Sequence, residues 1–140
     1  MRTSKTIKTA LGIGVAGLLT IFVLAGVALA NFTAPTSLSI ARTPTGMVSA
    51  GTEVNFHGKL SSGHHSCVDS ETIHLFRVKP GADKMVGTDV TNDRGKYSID
   101  RKVFKTGKYY TRYNGKTTGV HPNRHICLAS RSDSLKVVVG

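Results

Sequence analysis

The feature that most constrains this chain is the alternation of apolar and polar residues in short runs, each closed by turn-forming residues. TSLSIA (36–41) puts Leu38 and Ile40 on one face, and TEVNFHG (52–58) puts Val54 and Phe56 on one face, with Asn55 and His57 on the other. In ETIHLFRV (71–78), Ile73 and Leu75 are in phase and Phe76 falls on the opposite side. DKMVGTDV (83–90) is a weaker run, interrupted by Gly87. GKYSIDR (95–101) supplies Tyr97 and Ile99, and GKYYTRY (107–113) supplies Tyr109, Thr111 and Tyr113. DSLKVVV (133–139) closes the series with Leu135, Val137 and Val139. Successive side chains of a strand point to opposite faces, so period-2 runs of this length predict strands with one buried face. The connections KPGAD (79–83) and NDRG (92–95) have hairpin length and turn chemistry. No run after residue 30 sustains a 3.6-residue period. The expected fold is all-β, an antiparallel β-sandwich of about seven strands.

The first thirty residues read differently. Arg2, Lys5 and Lys8 precede an uncharged stretch, LGIGVAGLLTIFVLAGVALA (11–30), which ends in Ala28-Leu29-Ala30. A basic start, an apolar middle and a small-x-small end describe a secretory signal peptide, a helix outside the fold, with cleavage after Ala30. The alternative is an uncleaved membrane anchor, since twenty uncharged helical residues are long enough to span a bilayer. Both place the rest of the chain in a secreted or extracytoplasmic setting, at the cell envelope. The expected organisation is a signal peptide at 1–30, a short tether at 31–35 and one β-sandwich domain at 36–140. Without Arg2, Lys5 and Lys8, the remaining chain has 16 basic and 8 acidic residues, a net charge of +8. It has no tryptophan and its apolar residues are thinly spread, so the core should be small.

Two cysteines sit beside histidines: His64, His65 and Cys67 in GHHSCVD (63–69), and His121, His125 and Cys127 in VHPNRHICL (120–128). In an oxidising compartment two cysteines are most simply one disulfide, Cys67–Cys127. The other reading is an extracytoplasmic metal site with His64, His65, His121 and His125 as ligands. His121 and His125 are four apart, which aligns ligands on a helix, but Pro122 and Asn123 between them point to a loop. No local pair of cysteines at zinc-site spacing is present. The segment 114–132 is the irregular part of the pattern. Its length is above that of most loops in compact domains, and such loops are often functional.

With these runs in place, a family resemblance emerges. TSLSIARTPTGMVSAGTEVNFHGKL resembles the opening strands of bacterial immunoglobulin-like domains, where Gly-Thr precedes a Val-x-Phe strand. GTDVTNDRGKYSI is similar to the strand–turn–strand signature shared by those domains, collagen-adhesin B-type repeats and carboxypeptidase regulatory-like (prealbumin-like) domains. TGKYYTRY resembles the start of a late strand whose tyrosine packs at a sandwich corner. The resemblance covers most of 36–140 and implies an immunoglobulin-like sandwich, as in small actinobacterial secreted proteins. The Lys, Asn and acidic trio of self-crosslinking adhesin repeats is missing at any recognisable spacing, so no such crosslink is implied. A shared fold implies no function by itself.

No Gly-x-Ser-x-Gly, His-Glu-x-x-His or Gly-rich phosphate loop appears after residue 30. Asp69 and Glu71 would share a strand face, but an exposed acid pair is ordinarily solvated. The expectation is therefore a non-catalytic protein without a cofactor. Charge is the stronger lead. Arg101, Lys102, Lys105 and Lys108 fall within eight residues, and Arg112 and Lys116 follow. On the strands as read they form a basic edge with Tyr110 among them, which attracts polyanions through a salt-dependent term. The expected partner is an anionic envelope polymer, contacted by this edge and the 114–132 loop. Charge reversal at Lys102, Lys105 and Lys108 should weaken such binding. An inhibitor or toxin that grips an unknown protein with the 114–132 loop is a further alternative. No helix-turn-helix or zinc-finger pattern is present, so sequence-specific nucleic-acid recognition is not expected.

Overall fold

The structure is a computed structural model that describes residues 31–140. The expected leader, 1–30, lies outside the described residues. Among the described residues, no helix is long and apolar enough to cross a membrane. The described residues fall into two compact units, one of residues 32–118 with 125–140, the other of Asn31 with Gly119–Arg124.

The larger unit is all-β. Its strands are β1 (Phe32–Ala34), β2 (Thr36–Leu38), β3 (Ala41–Thr43), β4 (Thr52–Ser62), β5 (Thr72–Arg77) and β6 (Lys84–Val90). Then follow β7 (Lys96–Val103), β8 (Gly107–Tyr113), β9 (Lys116–Thr118), β10 (His125–Cys127), β11 (Ser130–Arg131) and β12 (Leu135–Val137). A single 3-10 turn, His65–Cys67, lies between β4 and β5.

In the first sheet β4 is central. β7 runs antiparallel along it, from Thr52 opposite Val103 to Lys59 opposite Lys96. β2 and β3 pair with different stretches of β4 and behave as one interrupted strand. The interruption falls where Gly58 meets Ser39, and a Cβ on Gly58 would collide with the Ser39 carbonyl. In the second sheet the order is β6–β5–β8, with β11 and β12 both pairing with β8. β6 carries one extra residue at Val86, so Gly87 opposes Leu75 and Met85 opposes Phe76. That bulge explains the poor alternation of 83–90, because the phase changes partway along the strand.

The buried faces of these two sheets form one core. Val54, Phe56, Leu60, Tyr97, Ile99 and Val103 come from the first sheet, and Ile73, Leu75, Tyr109, Tyr113 and Val137 from the second. Phe56 and Tyr109 meet across it with ring centroids 4.8 Å apart. Two antiparallel sheets sharing a core through alternate residues is the arrangement a β-sandwich requires. At one side the sheets come close: a Cβ on Gly87 of β6 would lie 2.6 Å from Ile99 of β7, and Asp89 accepts a bond from the Ser98 N–H at 2.8 Å.

A third, small sheet has the order β1–β10–β9. β1 pairs parallel to β10, Phe32 opposite His125, and β9 pairs antiparallel to it. Two stretches expected to be irregular thus contain strands: 31–35 contains β1, and 114–132 contains β9, β10 and β11. Asn114-Gly115 does not join two paired strands, because β9 pairs with β10 and not with β8. Gly115 has φ +80°, which turns the chain out of the large sheet towards the small one.

In the smaller unit, the Asn31 N–H donates to the Pro122 carbonyl at 3.2 Å, and the Asn31 side-chain carbonyl accepts from the Arg124 N–H. Asn123 N–H donates to the Val120 carbonyl at 2.7 Å, closing a turn.

Candidate functional site

The cysteine and histidine segments do meet. Cys67 at the end of the 3-10 turn is bonded to Cys127 at the end of β10, with Cα atoms 5.5 Å apart. Neither residue is free. Both side chains are buried, and both belong to the core cluster.

The histidines are occupied in separate ways. Phe32 of β1 lies between two imidazoles: His64 stacks on it at 3.8 Å with 4° between the planes, and His125 at 4.4 Å and 27°. His65 Nε2 donates to the Asp93 carbonyl at 2.9 Å. His121 belongs to the smaller unit, where its Nδ1 lies 3.4 Å from Asn31 Nδ2. Among the described residues, no group of three or more His, Cys, Asp or Glu is placed to hold a metal ion.

The six cations singled out in the sequence divide into three settings. Lys116 on β9 forms an ion pair with Glu71, which is buried, and donates to the Ser66 carbonyl at 3.1 Å. This pair ties the small sheet to the start of β5 and leaves Lys116 committed to Glu71, although its side chain stays partly exposed. Burial and the neighbouring Glu71 carboxylate also push the Tyr113 hydroxyl well above its usual range.

Lys108 and Arg112 lie on the outer face of β8. Arg112 packs over the Phe76 ring at 4.5 Å and donates through Nε to the Asn114 side chain at 2.9 Å. Phe76 stacks on Tyr110, centroids 5.4 Å apart, and Arg131 covers Tyr110 at 3.6 Å. The Tyr110 hydroxyl donates to Asp83 at 2.8 Å. The Lys79 backbone N–H and then this hydroxyl hold the Asp83 carboxyl below its usual range. Burial, followed by the bond to Asp83, raises the Tyr110 hydroxyl. Tyr110 does face outward as its phase requires, but the Arg131 cover leaves it 4% exposed. This face is a closed cation–aromatic layer.

Arg101, Lys102 and Lys105 belong to the third setting. They line a cavity of about 220 Å³, together with Arg77, Lys79, Lys84, Val86, Phe104 and Tyr109. Six of the nine lining residues are cationic and none is acidic. Register explains how they converge. Arg77 continues the inward phase of Ile73 and Leu75 on β5, and Lys84 is its partner on β6. Arg101 occupies the inward phase of Tyr97, Ile99 and Val103 on β7, opposite the fully buried Val54, yet is itself exposed. Thus three strands from both sheets end the apolar core with cations around one opening.

Sequence reasoning missed Arg77, Lys79 and Lys84, because it grouped charges by closeness along the chain. The signal was available in Arg77: a cation placed where an inward apolar phase should continue.

No family model matches this chain, and no curated protein matches it.

Proposed function

We propose that this chain is a non-catalytic, extracytoplasmic module with an immunoglobulin-like β-sandwich, and that its cationic end contacts anionic envelope polymers. The observation that carries the reading is the convergence of Arg77, Lys79, Lys84, Arg101, Lys102 and Lys105 on one cavity whose lining includes no acidic residue. Like charges brought together repel, and a bound polyanion offsets that repulsion while releasing its own counterions.

The immunoglobulin-like part rests on strand order. One sheet holds β2/β3, β4 and β7, and the other holds β6, β5, β8 and β11/β12. In chain order the path runs from the first sheet (β2 to β4) to the second (β5 and β6), back to the first (β7) and again to the second (β8, β11 and β12), a crossing between sheets of the kind that class of sandwich makes. The compartment rests on the disulfide, which persists in oxidising surroundings, and on the signal-peptide pattern of residues 1–30.

Binding to linear polyphosphate tests the reading. Each cation near a polyanionic surface contributes on the order of 1 kcal/mol. The double change Lys102→Glu and Lys105→Glu should therefore weaken binding at low salt by tenfold or more, whereas Lys136→Glu, at an exposed position of β12, should change it far less. Equal effects of the two variants, or no binding at all, would overturn it.

A further inference from the structure

We infer that the cavity between the ends of the two sheets is a site for one phosphoryl group, inserted past the rim and not merely attracted to a charged surface. The inference rests on the polyanion reading and goes further by naming the group recognised. Surface charge that serves only solubility sits on the outward phase of strands. Arg77, Lys84 and Arg101 instead occupy inward positions, from β5, β6 and β7, where the core residues beside them are apolar. Arg77 is half-buried while Lys84 and Arg101 stay exposed, and three cations brought to one opening repel, so the arrangement is stabilised when an anion fills the space.

The geometry favours a tetrahedral, multiply accepting anion. Two guanidinium groups offer planar pairs of donors suited to oxyanions, and the lysines add compact point charges. A single carboxylate satisfies one such fork, whereas a phosphoryl group presents acceptors to several. At about 220 Å³ the space is below the roughly 300 Å³ where sites for whole drug-sized ligands begin, so it takes a group and not a whole molecule. Phe104 at the rim is 64% exposed and leans on Gly51, offering an apolar surface to the carbon skeleton that carries the phosphoryl group.

Arg77 is positioned in advance. It is half-buried, and its Nη2 donates to the Thr106 carbonyl at 3.3 Å. Its guanidinium crosses Gly107 so closely that a Cβ there would lie 2.9 Å from Nε. A glycine at this place lets the guanidinium lie flat against the start of β8.

The test is calorimetric titration of the full chain with inorganic phosphate, then competition by phosphatidylglycerol vesicles and by a glycerol-phosphate polymer. The expected result is saturable, one-to-one phosphate binding. Arg77→Gln and Arg101→Gln should each weaken it at least tenfold, Gly107→Ala severalfold through displacement of Arg77, and Lys136→Gln less than twofold. Far-ultraviolet circular dichroism and melting temperature show whether each variant is folded, and Gly107→Ala tests the pocket without removing a charge. Whichever competitor displaces phosphate identifies the carrier, vesicles meaning a lipid headgroup and the polymer a wall component. If inorganic phosphate does not bind while polyphosphate does, and losses follow only the number of charges removed, the inserted site is wrong and the broader reading survives. If neither binds, both fall.

Discussion

At the residue scale, Tyr97 shows how a single side chain joins the two sheets. Its ring is buried, and its hydroxyl donates to the Ser39 carbonyl at 2.5 Å and meets the Thr111 hydroxyl at 2.9 Å. Ser39 lies at the break between β2 and β3, and Thr111 on β8 of the other sheet, so one oxygen bridges both. Burial raises this hydroxyl to about 12, because the phenolate would lose its water. The raised value means that the fold favours the protonated form. The associated stability is fully present below the ordinary value near 10 and is lost as pH rises through about 12. Alkaline unfolding followed by tyrosinate absorbance should therefore show the protein losing stability in that window. Tyr97→Phe should cost about 1–2 kcal/mol in denaturant titrations, the range for buried bonds left unmade, and should flatten the alkaline loss. The sequence already placed Tyr97 on the inward phase of its strand, in step with Ile99. Its partners were not legible, since Ser39 and Thr111 are far away along the chain.

At the element scale, the seven alternating runs all correspond to strands, because half-burial imposes a period that sequence displays directly. The small sheet was not legible for the converse reason. β1, β9 and β10 have three residues each, too few to show a period, and β1 pairs with β10 across about ninety positions. Turn chemistry was easier to read. Gly95 closes the NDRG turn with φ +78°, its N–H donating to the Asn92 carbonyl at 3.0 Å. A Cβ there would collide with the Leu60 carbonyl. Since the left-handed backbone and the collision act together, Gly95→Ala should destabilise the protein by about 2 kcal/mol or more. Thermal melting checks this, and an unchanged midpoint would show that the turn relaxes freely.

At the scale of the whole molecule, one covalent link carries much of the stability. Cys67 and Cys127 are 60 residues apart in sequence. Closing a loop of that size contributes about 4 kcal/mol in the chain-entropy model, against the roughly 5–15 kcal/mol by which domains are stable. Replacing both cysteines by Ala should lower the denaturation free energy by about that amount with native far-ultraviolet circular dichroism retained in the absence of denaturant. The pairing was legible from compartment and count alone. The candidate site was legible only in half. Arg101, Lys102 and Lys105 stand together in sequence, while Arg77, Lys79 and Lys84 reach the same cavity only through the register of β5 with β6 and the approach of β7. Lys116 shows the opposite error: adjacent to the cluster in sequence, it is spent on Glu71.

The central claim is that the six converging cations, and not the protein's overall charge, meet a polyanion. The most direct measurement is the affinity for linear polyphosphate over a series of salt concentrations. Each cation that displaces a condensed counterion from a single-stranded polyanion steepens the logarithmic plot by about 0.7, so six give a slope of about −4. The account predicts that slope for the unaltered protein and a clearly shallower one when Lys102 and Lys105 are both Gln, with Lys136→Gln leaving it unchanged. A slope near zero, or one that flattens equally for all of these variants, would contradict it.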